Sequence, residues 1–138
     1  LRSYEDDPLD TPPEEWDEPC PDYAANPGRQ AYRSAVEDAM ASAGVTALLY
    51  PSWTYPPAHL DAARAEYRGD NSQRVAPATG LPAITVPMGF SYGTLPAGLQ
   101  ILGPWGGEAE LFRLAWIYEQ ATRHRRPPEG FGELAPAR

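Results

Sequence analysis

Two hydrophobic periods run along the chain from position 27. Tyr32, Ala35, Val36, Ala39, Met40 and Ala43 recur at helical spacing. Asn26-Pro27 before them is a helix-start signal, a capping side chain followed by a residue with preset φ. Gly44 suits the left-handed residue that closes a helix. Val45-Thr46-Ala47-Leu48-Leu49-Tyr50 is apolar without alternation and predicts a buried strand. Ala83–Met88 predicts a second strand and Ala97–Leu102 a third, with 89–96 joining them as a hairpin. Pro87 lacks a backbone donor, which confines that side of its strand to an edge or a bulge. From Glu108 a long helix is predicted, lined by Leu111, Leu114, Ala115, Tyr118 and Thr122 and broadened by Phe112 and Trp116. Glu108 and Glu110 begin it, Arg123, His124, Arg125 and Arg126 end it in accord with the helix dipole, and Pro127-Pro128 stop it.

Between these elements the chain changes character. Pro51-Ser52-Trp53-Thr54-Tyr55-Pro56-Pro57 reads as a loop, because three prolines remove three backbone donors. Ala58–Tyr67 predicts a short helix and Gly69-Asp70-Asn71-Ser72 a turn. Of 138 residues, 19 are acidic and 11 basic, and the formal charge is −8. Residues 1–28 hold nine acids against Arg2, with six prolines and no period, so this arm is expected to be extended or poorly ordered. Residues 29–128 form the folded part and 129–138 a flexible tail. With acids and arginines balanced after position 28, no basic stripe supports nucleic-acid binding, and no apolar run approaches the roughly 18 residues of a membrane span.

Composition restricts the chemistry further. Every basic residue other than histidine is arginine. The chain therefore has no amine for a Schiff base, for a P-loop, or for lysine activation of a serine. Cys20 is alone and cannot form an internal disulfide, which fits a cytoplasmic location. The two histidines stand 65 positions apart, so a zinc site is not expected. The absence of an initiator methionine is read as the mark of a piece of something longer.

Several patterns invite a catalytic reading. Gly89-Phe90-Ser91-Tyr92-Gly93 has the spacing of a nucleophile elbow, followed by Glu119 and His124 in the expected order. An elbow must lead directly into a helix, whereas Thr94-Leu95-Pro96 leads to another strand; two glycines around a polar tip are also what a hairpin needs. His59 and Asp61 are two positions apart and do not face each other on a helix. His124 stands among arginines at a helix end, and Glu108 and Glu110 are ordinary first-turn acids. Asp70, Asn71, Ser72, Thr79 and Gly80 are short polar groups and turn residues beside strand ends, where they can line a pocket or serve local turn hydrogen bonds. Trp53 and Tyr55, in a proline-stiffened loop, are candidates for an apolar pocket wall.

The order of several motifs is more specific than any of them singly. Ala47-Leu48-Leu49-Tyr50-Pro51-Ser52, Gly69-Asp70-Asn71-Ser72 and Pro77-Ala78-Thr79-Gly80-Leu81-Pro82-Ala83-Ile84-Thr85-Val86-Pro87-Met88-Gly89 resemble the C-terminal third of amidase-signature enzymes. The likeness continues through Leu95-Pro96-Ala97-Gly98-Leu99-Gln100-Ile101-Leu102-Gly103, Glu108–Leu111 and Tyr118–Thr122. Ala78 falls near a position where the family more often has asparagine, and Ala97 where it has valine.

The resemblance implies an α/β fold, the C-terminal portion of an α/β/α sandwich around a mixed sheet, and hydrolysis of carboxylic amides. Family members use a serine nucleophile activated by a lysine through a second serine in a cis peptide, with a Gly/Ser-rich loop as oxyanion hole. That machinery lies upstream of the region resembled, so no catalytic residue is carried over. The expected partners are an N-terminal catalytic segment and a small amide, no metal or organic cofactor is implied, and Trp53, Tyr55, Asp70 and Asn71 are the substrate-pocket candidates. Alone, the chain is not expected to be active. The rival expectation is a non-catalytic interaction module that uses the acidic arm.

Overall fold

The computed structural model describes residues 25–68, 74–128 and 130. The expectations for the arm before residue 25, for the turn at Gly69–Ser72 and for nearly all of the tail after Pro128 fall outside them. The elements run α1 (Pro27–Ala43), β1 (Leu48–Pro51), α2 (Ala63–Glu66), α3 (Val75–Thr79), β2 (Ala83–Ser91), β3 (Leu95–Leu102) and α4 (Glu108–Thr122). The strands lie in the order β1-β3-β2, and both pairings are antiparallel. No described helix is long and apolar enough to cross a membrane.

The termini of α1 form as the sequence predicts. Asn26 Oδ1 accepts a hydrogen bond from Arg29 N at 3.2 Å, and Gly44 adopts φ 66° while its N–H reaches the Ala41 carbonyl at 3.1 Å. The packing of α1 is different from the prediction. Of its apolar stripe only Met40 is buried, and Tyr32 is 43% exposed. A polar row at i, i+4, i+8 holds the helix instead. Arg29 Nη1 donates to Pro77 O at 2.9 Å, Arg33 Nε donates to Thr79 O at 2.7 Å, and Glu37 accepts from Trp105 N at 3.0 Å. The Arg33 guanidinium also lies 4.1 Å from the Trp105 ring centroid. These arginines satisfy carbonyls that the short helix α3 leaves without intrahelical donors.

The hairpin is longer than its sequence signal. Pairing continues through Gly89↔Ala97, Phe90↔Pro96 and Ser91↔Leu95, because a bulge between Pro87 and Gly89 absorbs the proline and restores the register. Tyr92 and Gly93 turn the chain with φ 49° and 76°. The prediction for Pro87 holds on both counts, since β2 is an edge of the described sheet as well as bulged.

Strand alternation then separates two faces. Ile84 and Val86 on β2 stand opposite Ile101 and Leu99 on β3, and Val86 and Ile101 pack with Leu111 and Ala115 of α4, flanked by Leu114 and Tyr118. The inward face of α4 is the one its periodicity predicts. Its flank is not covered by any described residue: Phe112 and Trp116 are 67% and 63% exposed.

Three expectations need correction. The strand at Val45–Tyr50 starts at Leu48 and is half-exposed, because β1 is an edge strand and α4 does not extend over Leu49. The helix expected over Ala58–Tyr67 shrinks to a single turn, since Leu60 and its neighbours find nothing to pack on and short helices depend on packing. Helix α4 ends at Thr122, with Arg123 at φ 49°, so the arginine cluster lies past the helix. From there Arg126 reaches back, donating to Gly93 O at 2.6 Å and covering the Phe90 ring at 3.7 Å.

Candidate functional site

A half-open cleft of about 540 Å³ lies where the Pro51–Ala58 loop leaves the sheet. One wall is Trp53, Tyr55, Pro56 and Pro57. The opposite wall is Glu66, Tyr67 and Arg68 after α2, and the floor comes from Met88, Ser91, Pro96, Ala97 and Gly98 of the hairpin. Its volume is in the range of small-molecule sites. Pro51, Pro56 and Pro57 fix φ at three positions of the loop, and Trp53 and Tyr55 between them border the cleft and are about half exposed.

Position 98 on the floor is a glycine because two neighbours fill the space a side chain would need. A Cβ there would meet Thr85 Cγ2 at 2.7 Å and Ser52 Oγ at 2.9 Å. Those two side chains close over the glycine, their hydroxyl oxygens 3.2 Å apart. Ser52 N donates to Gly98 O at 2.8 Å and extends the β1–β3 pairing to the base of the loop.

The polar side chains at the rim are partly engaged. Glu66 Oε2 accepts from His59 N at 2.9 Å and pairs with His59 Nδ1 at 2.8 Å. The backbone N–H is the larger cause and the ring the second, and together they hold the Glu66 carboxyl below its ordinary pKa. A carboxyl depressed in the folded state supports the link above its ordinary pKa and loses it as pH falls through the folded value. The His59 amide resonance should therefore titrate with a midpoint below the ordinary glutamate range, and Glu66→Gln should abolish that titration. An unchanged profile in the variant would remove the assignment. Arg68 lies over Tyr55, its guanidinium carbon 5.9 Å from the ring centroid.

Of the four pocket candidates, Trp53 and Tyr55 meet in the cleft, while Asp70 and Asn71 lie outside the described residues. Ser91 lines the floor but has none of an elbow's surroundings. It ends β2, the chain turns into β3, and its hydroxyl points to Leu95 O at 3.5 Å. Thr79 does what local turn chemistry asks. It is fully buried, its hydroxyl donates to Val75 O at 2.6 Å and accepts from Leu81 N at 3.2 Å. His59 pairs with Glu66 rather than Asp61. No group of three metal-ligating side chains occurs among the described residues.

Met88, Tyr67, Arg68 and Gly98 are lining residues that sequence reasoning missed. Only Gly98 carried a signal, since a glycine inside a strand marks a bulge or a close approach.

Comparison with known proteins gives the same architecture. No family model matches the chain. Over 91 residues it is 43% identical to the glutamyl-tRNA(Gln) amidotransferase A-subunit of Thermus thermophilus, an alignment covering 62% of this chain and 19% of that relative. The corresponding A-subunit of Moorella thermoacetica is 53% identical over 51 residues, 36% of this chain and 10% of the relative. Among solved structures, native peptide amidase from Stenotrophomonas maltophilia superposes with a TM-score of 0.57 at 33% identity, covering 73% of this chain and 20% of the amidase. An amidase family protein from Bacillus anthracis, 22% identical with a TM-score of 0.56, shares the fold. The chain thus spans about a fifth or less of the length of these relatives. The similar proteins are members of the amidase-signature family, and the chain resembles them over about three quarters of its length and shares their fold.

Proposed function

We propose that this chain is the part of a carboxylic-amide hydrolase that completes the sheet and forms the acyl-side wall of the substrate cleft. The C–N bond is broken by a serine, relayed through a cis-peptide serine and a lysine, on an N-terminal catalytic segment. The observation that carries this reading is the Trp53–Tyr55 cleft, set at the rim of the sheet in a chain that resembles this family and has no lysine. The contribution is orientation: a wall that holds the amide carbonyl in line for attack lowers the entropic part of the barrier. Asp70 and Asn71, which follow Arg68-Gly69 in the sequence, are proposed with Trp53 and Tyr55 as substrate-pocket residues. A cytoplasmic setting fits the lone Cys20.

The surface of the chain supports a partner of this kind. Leu49, Phe112 and Trp116 are more than half exposed. The Tyr50 hydroxyl and the Gln100 side-chain carbonyl, which stand opposite each other on β1 and β3, are buried without a partner among the described residues. Burial, and to a lesser degree the neighbouring Tyr32, pushes the Tyr50 hydroxyl above its ordinary pKa. Apolar flanks and unpaired polar atoms of this sort are what a further layer of polypeptide covers.

The 138-residue chain alone should leave a simple carboxamide at the buffer rate. A chimera of the Stenotrophomonas peptide amidase carrying residues 29–128 in place of its own corresponding part should retain turnover. Hydrolysis by the isolated chain, or a chimera that melts cooperatively yet is inactive, would refute the reading.

A further inference from the structure

We propose that the Trp53–Tyr55 cleft is a specificity pocket for a large apolar group, aromatic by preference, carried on the acyl side of the amide, and that it rejects a cationic one. This assignment rests on the acyl-side reading above and goes further, to the chemical class of substrate.

Volume is the first argument. About 540 Å³ is far more space than the carboxamide group itself fills, and the excess lies between Trp53, Tyr55 and Tyr67 above a floor of Met88 and Pro96. The second argument is preorganisation. The aromatic rings sit in a loop that Pro51, Pro56 and Pro57 stiffen, so little freedom is left to lose when a second ring stacks on them. Charge is the third. The charged side chains of the described lining are Glu66 and Arg68. His59 engages Glu66 through two contacts, whereas Arg68 stands over Tyr55, one wall of the space. A cationic side chain entering there loses its hydration and meets a guanidinium, while the carboxylate of the described lining, Glu66, is engaged by His59. An uncharged aromatic group meets ring faces and a thioether.

The test uses the 138-residue chain labelled with 15N, and the indole N–H of Trp53, assigned through Trp53→Phe. Three probes are titrated: N-acetyl-L-phenylalaninamide, N-acetylglycinamide and N-acetyl-L-lysinamide. The phenylalanine amide should shift Trp53 and bind on the order of tenfold or more tightly than the glycine amide. The lysine amide should bind no better than glycine. Tyr55→Ala should remove the preference, and Arg68→Gln should improve lysine amide binding relative to phenylalanine amide binding. Trp105, stacked on Arg33 outside the cleft lining, should stay in place.

No Trp53 shift, equal affinity for all three probes, or Trp105 moving in step with Trp53 would overturn the assignment. The outcome is separable from that of the amidase reading. If the phenylalanine amide binds here while the folded chimera is inactive, the amidase reading falls and the pocket stands. If the chimera turns over but favours the glycine amide, the pocket falls and the amidase reading stands.

Discussion

Truncating Ile101 to alanine should cost about 2–5 kcal/mol and move the midpoint of urea unfolding sharply down. Ile101 is 1% exposed and lies in the central strand, paired with Leu49 on one side and Ile84 on the other. Helix α4 covers it with Leu111 and Ala115. No neighbour can collapse into the vacated space, because both flanking strands are fixed by the backbone ladder and the helix is fixed by the same cluster. The loss combines the transfer term of the removed methyl and methylene groups with the cavity they leave. The described core is small: Met40, Leu81, Val86, Ile101, Leu102, Leu111 and Ala115 are its buried apolar residues. A few kcal/mol is then a large share of the roughly 5–15 kcal/mol that stabilises a domain. Leu60→Ala is the control, as Leu60 is 100% exposed and should change stability by no more than about 0.5 kcal/mol. Equal midpoints for the two variants would show that Ile101 is not at the centre of the fold.

Gly98→Ala should be the most damaging single-methyl addition near the cleft, at about 1–3 kcal/mol. Its backbone is not the obstacle, since φ at this position lies outside the region that disfavours side chains. The obstacle is space, with Thr85 Cγ2 at 2.7 Å and Ser52 Oγ at 2.9 Å from the new atom. Both neighbours are short side chains on paired backbone and cannot swing away as the far end of an arginine could. The clash gives the prediction a second arm. Thr85→Ser removes the nearer methyl, so the double variant should regain part of the loss, a coupling that a double-mutant cycle in thermal unfolding measures. Simple additivity would place the cause elsewhere. The same substitution should also loosen probe binding, because Gly98 is part of the cleft floor.

Most of the regular structure was legible because it is encoded locally. The start of α1 needs only Asn26 and Pro27, and its end needs only Gly44. The bulge needs Pro87, whose missing donor breaks the ladder wherever the sheet forms. The inner stripe of α4 was legible for a related reason, since a periodic apolar face has one use. The reading failed where a partner decides the outcome. Nothing local distinguishes Leu49, 58% exposed, from Ile101, 1% exposed; both are apolar strand residues, and the difference is that β3 lies between two strands beneath α4 while β1 lies at the edge. The helix at Ala58–Tyr67 failed for want of a surface to pack on. Helix α3 went unseen because the last carbonyls of its five residues find their donors in Arg29 and Arg33, more than 40 positions earlier.

The candidate site divides the same way. The proline-stiffened loop that carries Trp53 and Tyr55 is plain in the sequence, whereas the cleft that both border exists only once the loop lies against the hairpin. Residue order alone encodes the caps, the hairpin, the inner face of α4 and the resemblance to amidase-signature enzymes. It took the folded chain to show that Arg29, Arg33 and Glu37, rather than the apolar stripe, hold α1, and that Thr85 and Ser52 fill the space a side chain at position 98 would need. The physical reason is range: capping and chain-conformational energies act within a few residues, whereas burial, clash and long hydrogen bonds exist only once distant segments share the same space.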